Sequence, residues 1–288
     1  MSVSHLARPL SNGYRHRHSL MRLLFLLSAL VLLGASSIAR AQEQSDARWL
    51  QIKHELFGDR RVDDGADIIG LTTPYRALDA AVVPIDIVSK LEQTPERYIK
   101  GLYLIIDNNP SPVAAVFEFP GDRAWDIIST RIRVNAYTNV RVLAELNDGA
   151  LYMTANYVKA SGGCSAPAQK DPSAAMANLG KMKLIVPEPQ PDSPLLAKLL
   201  IKHPNSSGLQ FDQIRRTYIP ADYVRNIEVS YQGELLFKVT TDISISEDPA
   251  IIFGFMPDAD AVGPFDVRVV DSEGRHFDEH FEPTAMNE

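Results

Sequence analysis

The chain has 288 residues, 45% of them hydrophobic and 23% charged, enough to bury one large core or two modest ones; this excludes a disordered or fibrous protein. A single cysteine excludes an internal disulfide framework and zinc sites built from several thiolates. The formal net charge of −7 disfavours nucleic acid and anionic lipid as partners, and without long single-sign blocks the acidity reads as solubility, not as a docking tail.

The N-terminus reads as a secretory signal. Met21-Arg22 is followed by an apolar run from Leu23 to Leu33 and then by small residues ending Ala39-Arg40-Ala41, an A-x-A cleavage site. Residues 1–41 are therefore expected to be removed, with Met21 an alternative start. The run is too short to span a bilayer, so no membrane attachment is expected after cleavage. The mature chain keeps 24 basic and 36 acidic residues, a net charge of −12.

One helix is expected next, capped by Ser45, with Trp49, Ile52 and Leu56 on one face and Gly58 at its end. Short segments rich in β-branched and aromatic residues follow at Val83 to Val88, Tyr98 to Ile106, Val113 to Phe119, Thr130 to Tyr137 and Val140 to Leu146. Asn147-Asp148-Gly149 joins the last of these to Leu151 to Val158 as a hairpin. Beyond Ser161-Gly162-Gly163-Cys164-Ser165, Asp171-Pro172 can start a short helix that Gly180 ends. Pro187-Glu188-Pro189-Gln190-Pro191 then reads as an extended spacer. The second half repeats the β pattern from Ile227 to Tyr231, across a Gln232-Gly233 turn to Leu235 to Val239. It continues through Ile251 to Phe255, Phe265 to Val270 and His276 to Phe281. The expected fold is all-β: two immunoglobulin-like β-sandwich domains with a short N-terminal helix and a helical, Pro-rich linker. The domains are placed at residues 42–167 and 195–288, with the linker at 168–194.

Cys164 is the first candidate for chemistry. Two glycines precede it, a serine follows, and the element leaves the strand ending near Lys159, so the thiol is expected to be accessible and the backbone flexible. A thiol of ordinary pKa near ~8.5 is only a few per cent ionised at neutral pH, so reactivity needs help from nearby amides or Lys159. A free surface cysteine without function is the alternative. His276-Phe277-Asp278-Glu279-His280 fits the H-x-x-E-H metal pattern, which requires a helix. Here the segment alternates as a strand, placing the histidines roughly 13 Å apart, so no metal is expected. His203-Pro204 reads as structural, and Asp107-Asn108-Asn109-Pro110 as turn chemistry. No phosphate loop or nucleophile elbow occurs, and no cofactor is expected.

Several runs together carry a family resemblance. Ala80-Ala81-Val82-Val83-Pro84-Ile85, Ile106-Asp107-Asn108-Asn109-Pro110-Ser111-Pro112, Thr130-Arg131-Ile132-Arg133 and Ser161-Gly162-Gly163-Cys164 resemble the SoxY carrier subunit of the periplasmic sulfur-oxidation system. Ile201-Lys202-His203-Pro204, Gly208-Leu209-Gln210-Phe211-Asp212 and Ile219-Pro220-Ala221 resemble its partner SoxZ. The order is similar to fused SoxYZ-like carriers associated with quinoprotein dehydrogenases. The resemblance implies a periplasmic carrier and not an enzyme. Cys164 would hold a sulfur-containing or other small intermediate covalently, with Ser161, Gly162, Gly163 and Ser165 supplying flexibility. Partners would be sulfur-oxidation or quinoprotein dehydrogenase enzymes, and the SoxZ-like half would pack on the SoxY-like half within the chain. The alternative is a non-carrier accessory module for a periplasmic dehydrogenase. The family's arm ends its chain as Gly-Gly-Cys-Gly-Gly, whereas Cys164 is followed by Ser165-Ala166-Pro167 and more than a hundred further residues.

Overall fold

The computed structural model describes residues 47–121, 125–167, 176–188, 193–257 and 263–282. The signal segment, Ser45 and most of the helix expected from Asp171 lie outside them. Among the described residues no helix is long and apolar enough to cross a membrane.

The expected first helix spans 47–57 and ends where Gly58 takes a left-handed φ of 59°. Its inward face differs from the one expected. Ile52 and Phe57 are buried while Leu56 is exposed, and Phe57 meets the edge of Tyr103 at 4.9 Å.

Eight strands follow in the first half: β1 (Val62–Asp64), β2 (Ile69–Thr72), β3 (Val83–Ser89), β4 (Ile99–Ile106), β5 (Val113–Glu118), β6 (Trp125–Ile132), β7 (Thr138–Leu146) and β8 (Leu151–Val158). Among the described residues nine more follow: β9 (Met182–Ile185), β10 (Leu195–Ile201), β11 (Phe211–Asp212), β12 (Thr217–Tyr218), β13 (Val224–Tyr231), β14 (Glu234–Thr241), β15 (Ala250–Phe255), β16 (Phe265–Asp271) and β17 (His276–Phe281). The all-β, immunoglobulin-like class is as expected. Period-2 burial runs along most strands, for example Leu195, Ala197, Leu199 and Ile201 inward on β10. The turn between β13 and β14 is built as its residues predict: Gln232 and Gly233 both take positive φ, at 53° and 84°, matching the twist of a two-residue hairpin.

Three features depart from the sequence reading. Strand β6 begins at Trp125 and ends at Ile132, so Val134 to Tyr137, expected as strand, instead form the connection to β7. Strand β9 falls inside the stretch read as linker and pairs antiparallel with β10. More consequentially, the two halves do not close into separate sandwiches but share both sheets. One sheet of nine strands runs β1-β8-β7-β4-β5-β14-β13-β16-β17, the other, of six, β2-β3-β6-β15-β10-β9. The seams are the antiparallel pairs β5–β14, with Phe117 opposite Val239, and β6–β15, with Ile128 opposite Phe253. Each half therefore covers an edge that the other would leave with unpaired backbone groups. Gln51–Glu288 accordingly forms a single unit. The apolar core crosses the seam without a break, as Phe117 packs on Phe237 at 6.2 Å and Phe237 on Phe253 at 5.1 Å.

Candidate functional site

Side chains read from sequence as turn or motif residues stitch the same seam. Asn109 is buried and donates through Nδ2 to Arg133 O at 2.8 Å and Ser244 Oγ at 2.9 Å, while its Oδ1 accepts from Asn135 N at 2.8 Å. Arg131 Nη2 donates to Asp248 O at 2.7 Å, and Ser246 Oγ to Ala81 O at 2.7 Å. Asp107, expected as turn chemistry, is fully buried and takes both carboxylate oxygens to Arg141 Nε at 2.9 Å.

Onto this seam the segment carrying Cys164 is laid as a fixed element. Gly162 N donates to Asn135 O at 2.9 Å and Gly163 N to Val134 O at 3.0 Å. The two glycines serve distinct purposes. Gly162 takes φ 79°, in the left-handed region that side chains avoid. At Gly163 a Cβ would stand 2.0 Å from Ala80 O and 2.8 Å from Val134 N, so only glycine fits between those two backbone segments. In this state both act by close approach and turn geometry, where the sequence reading expected flexibility.

The expected exposure of Cys164 is overturned: the residue is fully buried. Residues of the second half hold its backbone in place, which the Gly-Gly-Cys sequence does not reveal. Ser207 Oγ donates to the carbonyl of Cys164, and Gln210 Nε2 donates to Ala166 O at 3.0 Å. Gln210 Oε1 in turn accepts from Ser207 N at 3.2 Å, so the two residues form one clasp. Ser165 and Ser161 remain exposed at its rim. Burial pushes the Cys164 thiol up to about 11, and the nearby positive charge of Arg133 only partly opposes this. Lys159, expected to help ionise the thiol, instead sits over the Tyr75 ring at 4.8 Å.

The group beside the thiol that sequence reasoning missed is Arg133. It is 2% exposed, donates through Nη1 to Ile245 O at 2.5 Å and Ile243 O at 3.3 Å, and leaves Nε without a hydrogen-bond partner. It lies just past the end of β6 between buried Ile132 and Val134, and an arginine flanked by two apolar residues was the available signal.

His203 is structural, as read. It is fully buried, and Nδ1 accepts the amide of Asn205 at 3.1 Å. Its Nε2 lies 3.6 Å from Asp222 and 3.5 Å from Asp271. Among the described residues these three form a group with metal-ligand spacing. The donor set does not fit a metal: with Nδ1 accepting, the neutral ring carries its proton on Nε2, where a ligand would need a lone pair. Arg275 already bridges both carboxylates, contacting Asp271 Oδ2 at 2.5 Å and Asp222 Oδ1. The cluster anchors the loop that holds Ser207, since Ser206 and Asp222 exchange backbone bonds at 2.7 and 3.0 Å. His276 and His280 lie on strand β17, and His280 is engaged with Asp266 at 2.8 Å and Glu282 at 3.1 Å.

A shared-sheet immunoglobulin-like protein with a clasped thiol segment is the class this geometry defines. Residues 53–164 match the family model of sulfur oxidation protein SoxY, and residues 182–282 that of sulphur oxidation protein SoxZ. With the two in tandem, the chain is a fused SoxYZ-like protein. A search of curated proteins gives no match. Among solved structures, the sulfur carrier protein SoxY from Chlorobium limicola f thiosulfatophilum is 22% identical, covering 40% of this chain and 94% of its own, with a TM-score of 0.34. A putative superoxide reductase from Thermotoga maritima is 14% identical, covering 35% of this chain and 92% of its own, with a TM-score of 0.30.

Proposed function

We propose that this chain is an exported, non-catalytic carrier in which Cys164 holds a sulfur-containing or other small intermediate and presents it to partner enzymes. The observation that carries this reading is that the SoxY match ends on Cys164, the chain's single cysteine, seated where both halves meet. Loading requires the clasp to open, because a thiol at full burial and high pKa does not attack. In the open state the thiolate attacks a sulfur of a disulfide-like donor, forming a new S–S bond while the old one breaks and the departing sulfur keeps the electron pair. That exchange needs no external oxidant. Quinoprotein alcohol metabolism supplies the partner enzymes in this reading, and the N-terminal signal with cleavage after Ala41 delivers the chain to the periplasm.

The test is the intact mass of the protein isolated from its native host under several growth conditions. A Cys164 adduct supports carriage, and an unmodified chain under every condition refutes it. The burial of the thiol favours one competing reading, an accessory module in which Cys164 is only a packing residue. A Cys164→Ser strain that grows as wild type, while the full deletion does not, would select that alternative.

A further inference from the structure

Arg133 presents an electrostatic problem that the unmodified thiol leaves unsolved. Its guanidinium is buried on the strand connection that receives Gly163, its Nη1 contacts are neutral carbonyls, and its Nε donor is unsatisfied. A buried cation with no hydrogen-bonded anion is costly, and removal from water pushes the Arg133 pKa down. Two groups interact with it through charge: Cys164 and, as a smaller influence, Glu247. The nearer of these in effect is a neutral thiol at pH 7, held so by its own burial.

We propose that Arg133 is the counter-ion for a negatively charged adduct on Cys164, so that the closed seat selects small anionic cargo over neutral cargo. The inference rests on the carrier reading for its biological meaning, but the recognition itself is a property of the seat. An anion carried on, or just beyond, Sγ would take the free Nε donor and neutralise the guanidinium inside a low-dielectric pocket, where a charge-assisted hydrogen bond is strongest. A neutral adduct of the same size would bring no charge and leave the guanidinium without a hydrogen-bonded anion. A persulfide is the smallest cargo of the favoured kind. It forms in balance from the open arm and tetrasulfide: the Cys164 thiolate attacks a terminal sulfur, one S–S bond forms, one breaks, and trisulfide leaves with the electron pair. Arg133 is a positioning residue in this scheme and makes or breaks no bond.

Two nearly isosteric probes separate charge from size. Cys164 in the full chain is alkylated under mild denaturant with iodoacetate, giving an anionic carboxymethyl group, or with iodoacetamide, giving a neutral carbamidomethyl group; each product is refolded and melted. The carboxymethyl protein is expected to melt several degrees higher than the carbamidomethyl protein. The gap should vanish in Arg133→Gln and persist, reduced, in Arg133→Lys, which keeps charge without the fork. Because the anion is desolvated, the gap should also survive 0.5 M salt. Equal melting of the two wild-type adducts, or an undiminished gap in Arg133→Gln, overturns the proposal. Should Arg133→Gln fail to fold, the sign of the gap in wild type and its size in Arg133→Lys decide the matter. Chemical adducts make the result independent of native carriage: unmodified protein from the native host would refute the carrier reading while leaving this outcome intact.

Discussion

Opening of the clasp, not thiol chemistry, should limit the reactivity of Cys164. With its pKa pushed up to about 11, the closed thiol is ionised in about one molecule in ten thousand at pH 7. An exposed thiol with a pKa near 8.5 is ionised to about 3%, a difference of ~300-fold before steric protection is counted. Two side-chain hydrogen bonds hold the segment down, Ser207 to the Cys164 carbonyl and Gln210 to that of Ala166. Each contributes about 1 kcal/mol, so the Ser207→Ala, Gln210→Ala double variant should favour the open arm by ~2 kcal/mol, about 30-fold in population. Monobromobimane labelling at pH 7.5, followed by fluorescence under pseudo-first-order conditions, reads that population directly. The double variant should label about 30-fold faster than wild type, each single variant by an intermediate factor, and all should approach one limiting rate in mild denaturant. Wild-type labelling at the rate of a short cysteine peptide would show that no closed seat exists in solution. A double variant within threefold of wild type would show that the clasp is not what closes it.

Other consequences follow from the same geometry. Gly163→Ala drives a methyl into Ala80 O, so the arm should be expelled and labelled rapidly while far-ultraviolet circular dichroism stays that of wild type. Because the folded thiol titrates above its unfolded value, stability is whole below about pH 9 and declines toward pH 11. Wild type should therefore lose about 2–3 kcal/mol relative to Cys164→Ala over that interval in urea titrations. The sign is opposite for His203, whose protonation burial disfavours and whose Nδ1 is taken up by the Asn205 amide. Its contribution is present above pH ~6.5 and is lost on acidification, so labelling of Cys164, normalised to the double variant, should accelerate below that pH in wild type but not in His203→Gln. Asp107→Ala removes the buried carboxylate that accepts from Arg141 Nε and should cost about 3–5 kcal/mol, measured by chemical denaturation.

The strands were legible where chemistry and period coincide. Val83–Ser89 and Phe265–Asp271 largely alternate β-branched or aromatic residues with polar ones, and Asn147-Asp148-Gly149 marks the start of Leu151–Val158. Strand β10 escaped because Leu195-Leu196-Ala197-Lys198-Leu199-Leu200 favours helix by propensity; only its pairing with β9 and β15 makes it a strand. Cys164 was legible as a position but not as an environment. Gly-Gly reads locally as freedom, yet at Gly163 the missing side chain permits contact with Ala80, and the side chains that hold the segment's carbonyls come from more than forty positions downstream. Arg133 and the His203 cluster were hidden for a related reason: their partners are assembled by the seam between the halves, and no local spacing encodes that seam.

The seam also sets how the molecule lives and fails. Two continuous sheets give the thiol-bearing half and the clasp-bearing half a common fate: they should lose structure in one transition, at a midpoint that does not depend on protein concentration. A clasp supplied by a separate chain would be lost on dilution, whereas here Ser207 and Gln210 are always present at one copy per thiol. The closure over Cys164 is therefore governed by an internal equilibrium, one that dilution of the protein leaves unchanged.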